Sequence, residues 1–251
     1  MIKHLARLLL TRRVRPHTIR GGPLRGSVIV TSLHDYPGAI LGYTEAGLLR
    51  WFQENVRSGE TWVDVGAHYG YTAIALAQRV RANGRVFAFE PVLTTAGHLN
   101  TTKVSNGLDW LTVVPLGLGQ STGLSTASVP IDRGMAQHSS LGRGTTQIWL
   151  VRFDEVWPLL SRNEPIIHGV KVDVQGAEYD VIAGMREHLA QWRPRLVVEF
   201  HYGVSREEFT DLLASIGYVR EGIAVDGRQA GPPYLDDHSY VFNPEVDSPS
   251  I

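Results

Sequence analysis

One stretch decides the fold of this chain: Trp62-Val63-Asp64-Val65-Gly66-Ala67-His68-Tyr69-Gly70-Tyr71. The alternation of valine with Asp64 predicts the end of a buried strand, and Gly66 and Gly70 let the backbone turn tightly and approach a ligand closely. The spacing is D-x-G-x-x-x-G. It differs from the G-x-G-x-x-G of dinucleotide folds because His68 stands where that pattern has its second glycine. An acidic residue before the first glycine favours a cationic or hydroxyl-bearing ligand over a pyrophosphate.

Outward from this turn, predicted strands alternate with predicted helices. We predict strands at 61–65, 85–89, 111–115, 169–174 and 195–200, with two short ones near 218–223 and 239–242. We predict helices at 43–57, 71–81, 177–189 and 206–216, and another after Pro91 that runs to about residue 104. Residues 117–147 are rich in glycine, serine and threonine, which predicts a long loop or a short-strand insertion. This order indicates an α/β fold with a mainly parallel sheet and helices on both faces. In such sheets ligands bind at the carboxyl ends of the strands.

The ends of the first strands predict a site for S-adenosylmethionine (SAM). Asp64 suits the ammonium of its amino-acid part, and Glu90, 20 residues after Gly70, offers two oxygens to the ribose hydroxyls. Glu45 either caps the first helix or reaches the amino group of the cofactor. Gly117 leaves space for an adenine edge. The predicted cofactor-binding residues are Glu45, Asp64, Gly66, Ala67, His68, Gly70, Tyr71, Glu90 and Gly117.

The later strand ends predict the acceptor side of the site. Asp173, Glu199 and His201 follow or end neighbouring strands, so they are expected at one mouth of the site. Two carboxylates and an imidazole can deprotonate a hydroxyl or hold a divalent metal. Histidine is the better base at neutral pH, so His201 is the preferred catalytic base. We assign no metal, and activity that survives chelation would exclude the metal-assisted variant. Gln175 and His138 are predicted to contact the substrate.

Charge and composition limit the classes of function. The net charge is −1, but residues 1–34 carry seven basic residues and no acid, which leaves the rest at −8. An acidic main body argues against nucleic-acid binding. The basic arm either touches a membrane surface through residues 1–20 or packs on the domain as a short helix. We expect residues 35–251 to form a single domain.

Two absences narrow the class further. The sequence has no cysteine, which excludes disulfides, thiolate metal sites and a cysteine nucleophile. No apolar stretch approaches the roughly 20 residues needed to span a bilayer, and the N-terminus has no small-residue cleavage signal. We therefore expect a cytoplasmic protein.

The order of these pieces resembles the FkbM family of SAM-dependent methyltransferases. The resemblance covers about residues 40–245 and rests on five segments: Gly42–Glu45, Val63–Tyr71, Ala88–Pro91, Lys171–Glu178 and Val197–Glu199. Two departures are His68, where the family prefers asparagine, and Gln175, where it prefers glutamate. The resemblance implies a Rossmann-like, seven-stranded class I methyltransferase fold. It also implies methyl transfer from SAM, usually to a hydroxyl of a sugar, lipid-linked glycan or natural product, so we expect a small-molecule or glycan acceptor.

Two rival functions stay open from the sequence. A nicotinamide-dependent oxidoreductase shares the fold and Glu90 but lacks the G-x-G-x-x-G turn. A non-catalytic SAM- or nucleotide-binding protein would keep the glycine turn without an organised acceptor side, and the acids at the fourth and fifth strand ends argue against it.

Overall fold

A computed structural model describes residues 10–128, 145–162 and 166–245. The carboxyl ends of its parallel strands lie at one edge of the molecule. The strands are β1 Arg15–Thr18, β2 Val28–Thr31, β3 Thr61–Val65, β4 Arg85–Phe89, β5 Leu111–Val114, β6 Gly117–Leu118, β7 Gly123–Ser128, β8 Thr145–Val151, β9 Gly169–Val172, β10 Arg195–Phe200, β11 Ile223–Ala224 and β12 His238–Phe242. The helices are α1 Pro37–Leu41, α2 Ala46–Asn55, α3 Tyr71–Val80, α4 Leu93–Ser105, α5 Phe153–Ser161, α6 Glu178–Gly184, α7 Arg186–Trp192 and α8 Arg206–Ser215.

The main sheet has seven strands in the order β11-β12-β10-β9-β3-β4-β5. Strands β10, β9, β3, β4 and β5 run parallel, whereas β12 runs antiparallel to both of its neighbours. The glycine-turn strand β3 therefore lies at the centre, with β4 and β9 beside it. The predicted α/β class, with a mainly parallel seven-stranded sheet, is confirmed.

Alternating strand residues feed two apolar cores, one on each face of the sheet. On one face Trp62 and Val86 pack with α2, α3 and α4; on the other Val63 and Val172 pack with α5, α6, α7 and α8. The period of two along each strand makes this division, and a sheet with helices on both faces needs both of its faces apolar. Gly169 is the register partner of Trp62, and a Cβ there would lie 2.3 Å from the indole ring.

Several predicted bounds differ from the structure. The single helix predicted at 177–189 is two helices, α6 and α7, broken at Met185; Gly184 at the break lies against the backbone of Gly119, where a Cβ would come within 2.0 Å of a carbonyl oxygen. The strand predicted near 218–223 is reduced to Ile223–Ala224. In the insertion, β6, β7 and β8 form a separate three-stranded sheet, so the described part takes the short-strand form.

The described part of the basic arm is a hairpin of β1 and β2. Asn106, after α4, closes it onto the domain by accepting a hydrogen bond from the backbone N–H of Val28 and donating one to the Val28 carbonyl. Ile19 and Ile29 are fully buried in the core that contains α2 and α3. The domain division at residue 34 and the membrane contact through residues 1–20 stay predictions, with residues 1–9 outside the described part. Among the described helices, none combines the length and the apolar character that a membrane crossing requires.

Candidate functional site

A cavity of about 670 Å³ opens at the carboxyl ends of β3, β4, β9 and β10. Its volume lies within the range of small-molecule sites. The loop after each strand contributes to the wall, and the small sheet covers one side through Gly123, Ile148 and Leu150. The site is therefore at the edge where parallel sheets of this kind bind ligands.

The glycine turn after β3 forms the floor of the cavity. Gly66 has a φ of +78°, and a Cβ there would lie 1.9 Å from the carbonyl oxygen of Asp173. Any side chain at Gly66 would therefore both strain the backbone and push β9 away. The N–H groups of Gly66 and Ala67 both donate to the Phe89 carbonyl, which fixes the turn against β4.

Glu90, after β4, is the best-anchored acid of the cavity wall. One carboxylate oxygen accepts from the His68 N–H at 3.0 Å and the other from the Val92 N–H at 2.9 Å. Burial raises the pKa of Glu90 to about 7, although the two backbone N–H groups partly offset the rise. Each oxygen keeps a further lone pair, so the group can still accept two hydroxyl donors.

Lys171 is a charged residue of the cavity that was not predicted from the sequence. Its ammonium is buried and lies 3.2 Å from Asp64 Oδ1 and 3.4 Å from Asp173 Oδ2. Burial opposes the charge, but Asp64 and Asp173 outweigh it and raise the pKa of Lys171 above its usual value. Thr72 Oγ1 donates to the other oxygen of Asp64 at 2.7 Å. Asp64 is thereby enclosed by Lys171 and Thr72. Of the two charged groups, Lys171 and not Asp64 lines the cavity.

An aromatic wall with one acid is formed by Tyr36, Glu45, His68 and Tyr71. The ring centroid of Tyr36 lies 5.5 Å from that of His68 and 5.9 Å from that of Tyr71. Glu45 does not cap α2 through its side chain; burial, together with the charge of Asp173, raises its pKa. Tyr71 Oη is buried without a hydrogen-bond partner, which suits a polar ligand atom at this wall.

Asp173, Glu199 and His201 meet at the ends of β9 and β10, on the side of the cavity away from β4. His201 Nε2 lies 3.6 Å from Asp173 Oδ1 and 3.6 Å from Glu199 Oε1, while its Nδ1 lies 2.7 Å from Oε1 of the fully buried Glu178. Burial opposes protonation of the ring, but Glu178 and Asp173 outweigh it and raise the pKa of His201. Gln175 Nε2 is 2.7 Å from His201 Nε2 and 3.3 Å from Asp173 Oδ1.

Backbone strain is concentrated at this cavity. Of the seven non-glycine residues with positive φ in the described chain, four line it: Glu45, His68, Gln175 and Asp237. A left-handed conformation is unfavourable for such residues and persists where the surrounding structure imposes it, which is common at functional sites.

Most of the predicted site residues come together here. The predicted site residues that line the cavity are Glu45, Gly66, Ala67, His68, Tyr71, Glu90, Gly117, Asp173, Gln175, Glu199 and His201. Asp64 lies behind Lys171, and Gly70 opens α3 with its Cα facing Leu99, so neither lines the cavity. His138 is outside the described residues. The individual roles of all these residues stay predictions.

Comparison with known proteins shows the family of the chain. The family model described as "Methyltransferase FkbM domain" matches residues 64–221, from the glycine turn to beyond β10. The chain belongs to the FkbM methyltransferase family. It is 33% identical over 175 residues to the hexuronic acid methyltransferase AglP of Haloferax volcanii, covering 68% of each chain.

A solved structure shows the fold of this FkbM family member. An O-methyltransferase of Thermotoga maritima described as SAM-dependent superposes with a TM-score of 0.50 at 13% identity, over 84% of this chain and 68% of that one. The FkbM methyltransferase of Methylobacillus flagellatus superposes with a TM-score of 0.47 at 20% identity, over 77% of this chain. The match spans 50% of that protein's length.

Family and fold together imply SAM as the cofactor, and the residues present fit it. The Gly66 turn lines the cavity, and a side chain at Gly66 would displace it, because a Cβ there would lie 1.9 Å from the Asp173 carbonyl oxygen. Glu90 supplies two acceptor oxygens, and Tyr71 Oη is a buried polar atom without a partner in the protein. Both hydroxyl and ammonium groups can therefore be recognised in one cavity.

Proposed function

We propose that this FkbM family member is an O-methyltransferase that transfers the methyl group of SAM to a hydroxyl of a sugar. The observation that carries the proposal is the division of one cavity into two sides. The glycine turn and Glu90 form one side, and Asp173, Glu199 and His201 form the other. A binding protein would need only the first side.

On the cofactor side, each residue has a distinct task. Glu90 would accept hydrogen bonds from the ribose hydroxyls, and Gly66 and Gly117 would let the backbone approach the nucleoside. Glu45 and Tyr71 would receive the amino-acid end. Asp64 acts through Lys171, because the carboxylate itself is enclosed by Lys171 and Thr72.

On the acceptor side, Asp173, Glu199 and His201 would activate the hydroxyl. When bound, SAM would supply a methyl group that the acceptor oxygen takes from the positively charged sulfur, with S-adenosylhomocysteine as the leaving group and Nε2 of His201 as the acceptor of the hydroxyl proton. His201 offers only Nε2 to the acceptor, since Nδ1 is bonded to Glu178. Holding both reactants in one cavity contributes several kcal/mol to catalysis.

A sugar acceptor is supported by the relative rather than by a bound ligand. AglP is a hexuronic acid methyltransferase and matches two thirds of the chain. The acceptor side also carries many hydrogen-bond acceptors, which suits a molecule rich in hydroxyl groups. Cytoplasmic location and the absence of nucleic-acid binding stay predictions.

The first experiment measures binding of SAM and S-adenosylhomocysteine by calorimetry. The unaltered chain should bind both, and Glu90→Ala should lose most of the affinity. Asp64→Ala should also weaken binding, because it leaves Lys171 without its closest partner. Glu207→Ala, at the exposed start of α8, is the matched control. If the folded, unaltered chain binds neither molecule, the methyltransferase proposal is wrong.

The second experiment separates catalysis from binding. Methyl transfer to a panel of neutral sugars, amino sugars and hexuronic acids is followed with labelled SAM. His201→Ala should bind SAM normally yet lose turnover. Unchanged turnover with intact SAM binding would remove His201 from the reaction.

A further inference from the structure

The arrangement around His201 Nε2 is that of a metal ligand set. One ligand atom from each of Asp173, Glu199 and His201 lies within 4.8 Å of the other two. All three side chains are at least partly buried, and they lie in or just after two neighbouring strands of the main sheet. Carboxylate oxygens and an imidazole nitrogen are the ordinary ligands of divalent cations in proteins.

The hydrogen bonds of His201 make Nε2 the nitrogen that carries the lone pair, and the two carboxylates lie near it. Nδ1 lies 2.7 Å from a carboxylate oxygen of Glu178, so Nδ1 is the nitrogen that donates. The Gln175 amide N–H lies 2.7 Å from Nε2 and donates to it. A histidine that donates Nδ1–H to a buried carboxylate and presents Nε2 is the arrangement that orients metal-binding histidines.

A proton on Nε2 does not account for the cluster equally well. The distances of 3.6 Å from Nε2 to Asp173 Oδ1 and to Glu199 Oε1 exceed the hydrogen-bond range. An imidazolium would therefore hold neither carboxylate closely. A cation placed among the three atoms would contact all of them.

The local charge balance is a separate observation that points to a cation. The described lining of the cavity carries the carboxylates of Asp35, Glu45, Glu90, Asp173, Asp180, Glu199 and Asp237. Lys171 is the only lysine or arginine among these described lining residues, and its ammonium is already bound to Asp64 and Asp173. Partly buried carboxylates in excess of their counter-charges are costly unless they are paired or coordinate a metal.

We propose that Asp173, Glu199 and His201 bind one divalent cation, which in turn binds two adjacent oxygens of the acceptor. The second half of this statement rests on the proposed function, and the first half does not. The acceptor would thus be a vicinal diol or a hydroxy acid, because both present two oxygens to one ion. His201 is then a ligand rather than a free base, and Gln175 turns its amide oxygen toward the ion.

The test is a titration with Mn²⁺, followed by loss of the electron paramagnetic resonance signal of the free ion. The unaltered chain should bind one Mn²⁺, and Mg²⁺ should compete for it. Glu199→Gln and Asp173→Asn should abolish or strongly weaken binding. Glu178→Gln, which keeps the three ligands and alters only the support of His201, should weaken it by about 10- to 100-fold.

Asp180→Asn is the matched control, because it removes one negative charge from the same cavity outside the three ligands. Its Mn²⁺ affinity should change far less than that of Glu199→Gln. The site is refuted by absence of Mn²⁺ binding, or by binding that Glu199→Gln and Asp180→Asn weaken equally. SAM calorimetry on the same samples separates the two proposals: SAM binding without Mn²⁺ binding removes only the metal site, and loss of both removes the proposed function as well. Thermal unfolding of each variant confirms that it is folded.

For the acceptor, the labelled-SAM assay is repeated with a vicinal diol, a hydroxy acid and a matched alcohol with one hydroxyl. Loss of turnover after chelation and recovery with Mg²⁺ support the assignment. Undiminished turnover after thorough chelation would overturn it and return His201 to the role of base.

Discussion

Replacement of Lys171 by methionine is the perturbation with the largest expected effect on stability. The substitution keeps a side chain of similar length with an apolar stem, but it removes the ammonium that lies between Asp64 and Asp173. Asp64 is fully buried and would keep only the Thr72 hydroxyl as a partner. A buried carboxylate would thus remain without its counter-charge.

The size of the loss follows from the two distances. At an effective dielectric constant of about 20, charges separated by 3.2 and 3.4 Å attract by about 5 kcal/mol each. The second attraction counts for less, because the Asp173 side chain is 25% exposed and keeps part of its hydration. Removing the buried ammonium also recovers several kcal/mol of desolvation. The net destabilisation should be about 3–5 kcal/mol, a large part of the 5–15 kcal/mol typical of a folded domain.

Urea unfolding followed by circular dichroism measures this loss. The double variant Lys171→Met/Asp64→Asn should be about 1–3 kcal/mol more stable than Lys171→Met alone, because the amide no longer carries the unpaired charge. Lys103→Met, near the end of α4, is the matched control and should change the free energy of unfolding by less than about 1 kcal/mol. A loss below about 1 kcal/mol for Lys171→Met, or a double variant less stable than the single one, would refute the reasoning.

Three further predictions concern the cofactor side and the hairpin. The pKa of Glu90 is raised to about 7, so its contribution to folding stability is present below pH 4.5 and is lost as the pH rises through 7. SAM affinity should rise over the same range, because the ionised carboxylate is the better hydrogen-bond acceptor. Calorimetry between pH 5.5 and 8.5 should find that Glu90→Gln removes this pH dependence of SAM affinity. Gly66→Ala should abolish SAM binding, because a Cβ 1.9 Å from the Asp173 carbonyl oxygen would displace the turn that lines the cavity. Gly97→Ala, at an open position on α4, should leave binding unchanged and stabilise the fold by up to about 1 kcal/mol. Persistent binding by Gly66→Ala would contradict the role given to this turn. Asn106→Ala should lower the free energy of unfolding in urea by about 1–3 kcal/mol, because it leaves the N–H and C=O of Val28 without their side-chain partner. An unchanged unfolding midpoint would show that the hairpin is held by apolar packing alone.

The fold and the outline of the site follow from local rules that the sequence displays. A strand, a glycine turn and a helix at 61–80 establish the parallel architecture, and the strand-end rule then selects Glu90, Asp173 and His201. These residues meet because strand ends converge, whatever the details of packing. Local rules fail where a distant contact intervenes, as at Gly184, whose approach to Gly119 breaks a helix that its own sequence would continue.

Lys171 shows why the rest of the site could not be predicted one strand at a time. A lysine inside a strand commonly points to solvent, and nothing local marks this one as buried. Its role appears only with the strand order, because β9 lies beside β3 and the register places Asp64 opposite Lys171. The period of two then places Asp173 on the same face of the strand as Lys171. The same register places Trp62, a large residue, opposite Gly169, which has no side chain. Two successive pairs on the same face of β3 and β9 are therefore complementary: Trp62 and Gly169 in volume, and Asp64 and Lys171 in charge. Once the fold class is known, complementary pairs across the two central strands are the feature by which such a buried cation can be found from sequence alone.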